Sequence, residues 1–141
     1  MDKDNEIYVL GKKVRLLQLP EGGFRTSLDS VMVAAACPAK DGDHVLDAGC
    51  GVVGAGLCLL WRIKGAKLTG VEWQKDYIDL ARQNAVLNNM ADRTDFIQAD
   101  IRSVDMGPKP LFNHVIMNPP YSELGTHTPS PDRIRAHAVG H

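Results

Sequence analysis

The chain has 141 residues, 44% of them hydrophobic and 23% charged, with 16 basic residues against 17 acidic ones. That length fits one domain able to bury a core, and the near-neutral balance excludes the strongly basic composition of a dedicated nucleic-acid binder. No apolar run approaches a membrane span, and the polar, mixed-charge start "MDKDNEIYVL" has the character of neither a signal nor a transit peptide, so a cytoplasmic protein without membrane contact is expected.

Short apolar runs at Ile7–Leu10 and Val14–Leu19, around "GKK", predict a β-hairpin. Lys12, Lys13, Arg15 and Arg25 face only Glu21 between residues 11 and 25, a basic cluster whose ordinary reading is a solvated face. After "PEGGFRTS", Ser27 is placed to cap a helix through "LDSVMVAAAC", with Asp29 complementing its dipole and Pro38 ending it. The pattern then becomes regular. "HVLDAG", "AKLTGVE", "TDFIQAD" and "FNHVIMN" read as strands, while "VVGAGLCLLWRI" and "QKDYIDLARQNAVLNN" read as helices. Strands alternating with helices predict a Rossmann-like α/β fold, a parallel sheet with helices on both faces. We therefore expect a hairpin and turn at 1–26, a core at 27–122 and a polar, flexible tail at 123–141.

Cys37, Cys50 and Cys58 are odd in number and lack CxxC spacing, which points to free thiols in a reducing compartment. His127, His137 and His141 lie in the tail without ligand spacing, so no metal site is expected.

The chemistry concentrates at strand ends. In "VLDAGCGVVGAG" a strand runs into a glycine-rich turn and a helix start, where backbone can approach a ligand and unpaired N–H groups are offered. Gly49, Gly51 and Gly54 fit the GxGxxG dinucleotide pattern, and Glu72 has the spacing of a ribose-binding acid. A nicotinamide-dinucleotide-binding Rossmann domain is thus one reading. Asp47 opposes it: a carboxylate aimed into the turn repels a pyrophosphate and suits a cationic ligand such as S-adenosyl-L-methionine. Glu72 would then accept hydrogen bonds from ribose hydroxyls, and Asp100, after the third strand, one from an adenine amine.

"VLDAGCG", "GVEW", "QAD" and "NPPY", in this order and spacing, resemble class I S-adenosylmethionine-dependent methyltransferases acting on amino groups. The preceding "LLQLPEGGFRTSLDSVMVAAA" is similar to the N-terminal segment of the bacterial tRNA1(Val) adenine-N6 methyltransferase family. The resemblance covers roughly residues 7–122; Val53 stands where many relatives carry a third glycine. It implies S-adenosyl-L-methionine as cofactor, tRNA or another nucleic acid as substrate, and a cofactor set of Arg25, Asp47, Gly49, Gly51, Glu72, Asp100 and Asn118. Phe24 reads equally well as a core residue.

It also implies a role for Asn118, Pro119, Pro120 and Tyr121. An exocyclic amine on an aromatic base is a poor nucleophile, because its lone pair is delocalised into the ring. Two acceptors aimed at its N–H groups, the Asn118 amide oxygen and the Pro119 carbonyl, stabilise the charge that develops during attack. Pro119 and Pro120 fix φ and keep that geometry rigid. Tyr121 offers a face on which a flipped base stacks.

The family's sheet is wider than the four core strands found here, so the chain reads as lacking the C-terminal part. That leaves "FNHVIMN" as an edge which a second copy, in a homodimer, or another subunit would cover. Besides an active methyltransferase, a truncated remnant that binds S-adenosylmethionine without transferring methyl groups is the second reading.

Overall fold

The computed structural model describes residues 6–18, 28–103 and 111–117, with residues 28 and 29 described by backbone alone. Ser27, Phe24, Arg25, the tetrapeptide 118–121 and the tail 123–141 lie outside the described residues.

The N-terminal hairpin pairs β1 (Glu6–Val9) antiparallel to β2 (Val14–Leu17), with Glu6 opposite Leu17 and Val9 opposite Val14. Gly11 and Lys12 take φ of 61° and 68°, and Lys13 N–H donates to the Leu10 carbonyl at 3.1 Å. Leu10 precedes them at φ 57°, so three successive left-handed residues shape the four-residue connection between Val9 and Val14, and only Gly11 among them enters that region without steric cost. Each strand differs from its expected run at one or both ends by a residue or two.

The core follows as α1 (Leu28–Ala36), β3 (His44–Ala48), α2 (Gly54–Arg62), β4 (Lys67–Glu72), α3 (Lys75–Leu87), a 3-10 turn at Ala91–Arg93, β5 (Thr94–Gln98) and β6 (His114–Ile116). The four later strands form one parallel sheet in the order β5-β4-β3-β6. Both described crossovers, β3–α2–β4 and β4–α3–β5, step the same way along the sheet, and right-handed connections put their helices on one face. Leu46 and Ala48, which alternate with the α2-facing Val45 and Asp47, are buried as well. The central strands are therefore covered on both sides, as their near-continuous apolar character requires.

Helix ends are closed by arginines reaching from elsewhere in the chain. Arg93, in the 3-10 turn, donates to the carbonyls of Leu60, Ile63 and Ala66 at 3.1–3.2 Å and so caps the C-terminus of α2. Arg62, at the end of α2, does the same for α1 through Ala34 O (2.7 Å) and Cys37 O (2.8 Å). Each guanidinium serves one carbonyl of the last helical turn, Leu60 or Ala34, and carbonyls of the chain just beyond it, and its charge complements the helix dipole. The basic cluster of the hairpin is likewise partly engaged inside the molecule. Arg15 pairs with Glu6 at 3.1 Å, and Lys13 lies 5.7 Å from the ring centre of Trp61, which also carries Lys64 at 4.2 Å.

Arg93→Ala should destabilise the chain by about 1–3 kcal/mol, because half-buried carbonyls at the end of α2 lose a charged donor. Urea unfolding measures this. Arg93→Lys should recover little of it, since a single ammonium does not span three carbonyls, and full recovery by lysine would contradict the account.

Candidate functional site

The carboxyl edge of the sheet gathers the ends of β3, β4 and β5. Gly49 and Gly51 sit at φ 73° and 55°, a backbone region that glycine enters without steric cost. The N–H groups of Gly49 (2.8 Å) and Cys50 (3.0 Å) both donate to the Val71 carbonyl, which fastens the turn to the end of β4. A side chain added at Gly49 or Gly51 would meet no atom within 4 Å, so the outer surface of the turn is open. At Gly70, by contrast, a Cβ would lie 2.8 Å from Phe96 Cδ1 and 2.9 Å from Cys50 Sγ. Glycine on β4 is what lets Cys50 and Phe96 tuck against the sheet.

Glu72, nearly buried, accepts the Gly51 N–H on Oε1 (3.0 Å) and the Gln74 N–H on Oε2 (3.1 Å). It holds the glycine turn and the start of α3 together, and each oxygen retains a further lone pair for a ligand hydroxyl. Asp47 is 2% exposed, and its Oδ2 has no hydrogen-bond partner. That oxygen lies over the first turn of α2, 3.1 Å from where a Cβ on Gly56 would stand. Burial, followed by the nearby Glu72 charge, pushes the Asp47 carboxyl up to about 7. Burial and then the same two acids push the Cys50 thiol well above its ordinary range, so Cys50 is no nucleophile here. Cys37, Cys50 and Cys58 are all free thiols.

Asp100 follows β5 as expected, but its carboxylate is already engaged. Arg102 grips it with Nη2 on Oδ2 at 2.8 Å and Nε on Oδ1 at 3.1 Å. A ligand amine at this position would share Asp100 with that guanidinium. Asp47, Gly49, Gly51 and Glu72 are brought together; Arg25, Asn118, Pro119, Pro120 and Tyr121 lie outside the described residues.

Sequence reasoning passed over Trp73. It follows Glu72 directly, is 66% exposed, and its carbonyl accepts Gln98 Nε2 at 3.4 Å. An exposed indole at a strand end beside a buried acid is unusual, and the "EW" dipeptide was the only signal of it. The buried Asn84 was missed too, because its partners are distant in sequence.

An orphaned buried acceptor beside an open glycine turn is a fit for a ligand bearing a cation, and a poor fit for a diphosphate. In the free chain the raised Asp47 carboxyl makes stability fall as pH rises from its ordinary 3.8 to about 7, because the folded state holds a proton that the unfolded chain releases. Asp47→Asn should remove that dependence, raising the Tm at pH 8 by several degrees and leaving it nearly unchanged at pH 4. Thermal unfolding at the two pH values decides this, and equal shifts at both would contradict it.

Comparison with known proteins places this geometry. The methyltransferase small domain family matches residues 27–138. A tRNA1(Val) (adenine(37)-N6)-methyltransferase of Shewanella amazonensis is 30% identical over 120 residues, covering 84% of this chain and 50% of the relative. A release factor glutamine methyltransferase of Chlorobaculum tepidum is 30% identical over 95 residues, covering 64% of this chain and 31% of the relative. The chain thus spans half or less of the length of these two curated relatives. Among solved structures, a "predicted O-methyltransferase" of Agrobacterium tumefaciens superposes with a TM-score of 0.59 at 25% identity, covering 69% of this chain and 51% of that one. The cyclase SpnF has a TM-score of 0.55 at 23% identity, covering 61% and 31%, so the fold by itself does not decide the reaction. The family match, the sheet order and the acids around the glycine turn agree: this chain belongs to the methyltransferase small domain family, whose members use S-adenosylmethionine.

Proposed function

We propose that the chain is an S-adenosylmethionine-dependent N-methyltransferase acting on an exocyclic amino group, adenine N6 in a tRNA. The observation that carries the reading is Asp47, a buried carboxylate with an unpartnered oxygen at the foot of an open glycine turn. A cationic cofactor in the turn would be attracted by the Asp47 charge close behind it, whereas the diphosphate of a nicotinamide dinucleotide would meet a like charge there.

When bound, S-adenosylmethionine supplies an electrophilic methyl group on a sulfonium. Asp47 would face the ligand's cationic portion, and Gly49 and Gly51 would let the backbone lie against it. Glu72 has lone pairs left for ribose hydroxyls. Trp73, exposed at the end of β4, would give the purine a plate to stack on, and Asp100 would share its carboxylate between Arg102 and the purine amine. In this reading Arg25 reaches the cofactor from the N-terminal side. Asn118 and the Pro119 carbonyl accept hydrogen bonds from the substrate amine, Pro119 and Pro120 keep that carbonyl rigid, and Tyr121 stacks on the base.

The choice of acceptor rests on the names of the relatives. One names adenine N6 in tRNA and another a glutamine, and both groups present an NH2 on a trigonal carbon. In this reading Tyr121 would stack on a base, which suits a nucleic-acid acceptor. The outer edge of β6 is unpaired among the described residues, and Val115 on it is 43% exposed. In this reading a second copy or another subunit covers that edge.

Transfer of a labelled methyl group from S-adenosylmethionine to unmodified tRNA tests the proposal. Asn118→Ala should lower the transfer rate at least 100-fold, far beyond any weakening of cofactor binding, the signature of a group whose larger contribution comes as charge develops. Binding without transfer by the unsubstituted chain would favour the remnant instead.

A second expectation concerns pH. A cation beside Asp47 draws its carboxyl back below about 7, so binding releases a proton on the acid side of that value. Affinity should rise about tenfold from pH 6 to pH 8, and Asp47→Asn should flatten the rise while weakening binding at pH 8. Calorimetry in two buffers of different ionisation heat reads the proton count. A profile unchanged by Asp47→Asn would remove Asp47 from the site.

A further inference from the structure

The outer edge of β2 is paired with side chains of a helix. On one side β2 is bonded to β1. On the other, Leu17 N–H donates to Asn84 Oδ1 at 2.7 Å, and Asn84 Nδ2 donates back to the Leu17 carbonyl at 3.0 Å. Two residues earlier on the strand, Arg15 N–H donates to Asn88 Oδ1 at 2.9 Å, and Asn88 Nδ2 donates to the Arg15 carbonyl at 2.7 Å. Four residues of helix advance about 6 Å and two residues of strand about 6.6 Å, so the two amides of α3 meet alternate peptide groups of β2 as a neighbouring strand would.

The two asparagines differ in their last hydrogen bond. Asn88 spends its second Nδ2 hydrogen inside its own helix, on the Asn84 carbonyl at 2.8 Å. Asn84 sends its second one to the Val52 carbonyl at 2.9 Å. Val52 lies in the glycine turn, between Gly51 at φ 55° and Val53 at φ 68°. The other end of the same peptide unit is also held, since Val53 N–H donates to the Cys50 carbonyl at 2.8 Å. The peptide plane that leads into the left-handed Val53 is thus pinned at both ends. Val53 is β-branched, so its φ is strained and persists only where the surroundings determine it. Asn84 itself is 0% exposed, and water does not compete for its bonds.

We infer that Asn84 is a positioning residue for the cofactor site: its amide holds the Val52–Val53 peptide, and with it the glycine turn, in the shape that receives the cofactor. This rests on the reading of the turn as a cofactor cradle. Asn88 supplies an internal control, because it anchors the same hairpin by the same kind of amide bonds and does not touch the turn.

Hydrogen exchange of residues 49–54 in the unliganded chain, together with the dissociation constant for S-adenosylmethionine, tests the inference. Asn84→Ala should speed exchange across the turn at least tenfold and weaken binding about tenfold. Asn88→Ala should speed exchange in the hairpin and leave both turn exchange and affinity within twofold. Should Asn84→Ala not fold, Asn84→Asp keeps the acceptor for Leu17 N–H and loses both amide donors, and the same changes are expected of it. Equal effects of the Asn84 and Asn88 variants on the turn would overturn the inference, as would a loosened turn with unchanged affinity. A turn loosened by Asn84→Ala alone, with no S-adenosylmethionine bound by any variant or by the unsubstituted chain, would uphold the brace and overturn the cofactor reading.

Discussion

The bond from Gly51 N–H to the Glu72 carboxylate joins the end of one strand to the end of the next, and the geometry of the site depends on it. It lies at the rim of the sheet, where β3 gives way to α2 and regular backbone pairing stops. Without it the glycine turn would be tied to β4 only through the Val71 carbonyl. With it, an acid that would otherwise be a costly buried charge becomes a structural acceptor, and charge-assisted bonds of this kind are about twice as strong as neutral ones. Having placed Glu72, the fold has also placed its neighbour. Asp47 is buried near it with one oxygen unserved, and that burial, followed by the Glu72 charge, raises its carboxyl.

Two local features oppose folding at this point, an unpartnered carboxyl and a valine in left-handed backbone. Residues held in such conformations cost on the order of 1–3 kcal/mol each and survive only where packing over-determines them. Packing does so here. The Val53 side chain is fully buried in the core, and its peptide is held at both ends. Burial of an isopropyl group contributes an amount of the same order as the strain, roughly 1.5–3 kcal/mol. The chain therefore tolerates a non-glycine residue where the turn requires positive φ. Backbone strain close to an unserved acceptor is common at ligand sites, where the ligand supplies a missing partner.

Much of this fold could be read from residue order, because the signals were local. Alternating strand and helix patterns gave each strand and α-helix of the described core within a few residues, though not the 3-10 turn at Ala91–Arg93, and the parallel sheet followed from their alternation. The cluster of Asp47, the glycines and Glu72 was legible for the same reason: each sits at a strand end whose position periodicity reveals. What escaped were interactions set by tertiary distance or by geometry. Asn84 bonds to Leu17, 67 residues away, and nothing in "RQNAVLNN" announces that a helix will serve as the edge of a hairpin. Arg102 is only two residues from Asp100, yet a spacing of two forms no motif, and the bidentate grip depends on a turn that sequence does not show. Val53 could be seen as a missing glycine, but whether the backbone would relax or hold left-handed was a question of packing. The basic hairpin looked freer than it is, since Glu6 and Trp61 lie outside the segment in which its charges were counted.

The most direct measurement is a calorimetric titration of the 141-residue chain with S-adenosylmethionine, run beside one with NADH. Saturable micromolar binding of S-adenosylmethionine with no heat from NADH is the predicted result, since only the former carries a cation to meet Asp47. NADH binding in place of S-adenosylmethionine, or a folded chain that binds neither, would contradict the account.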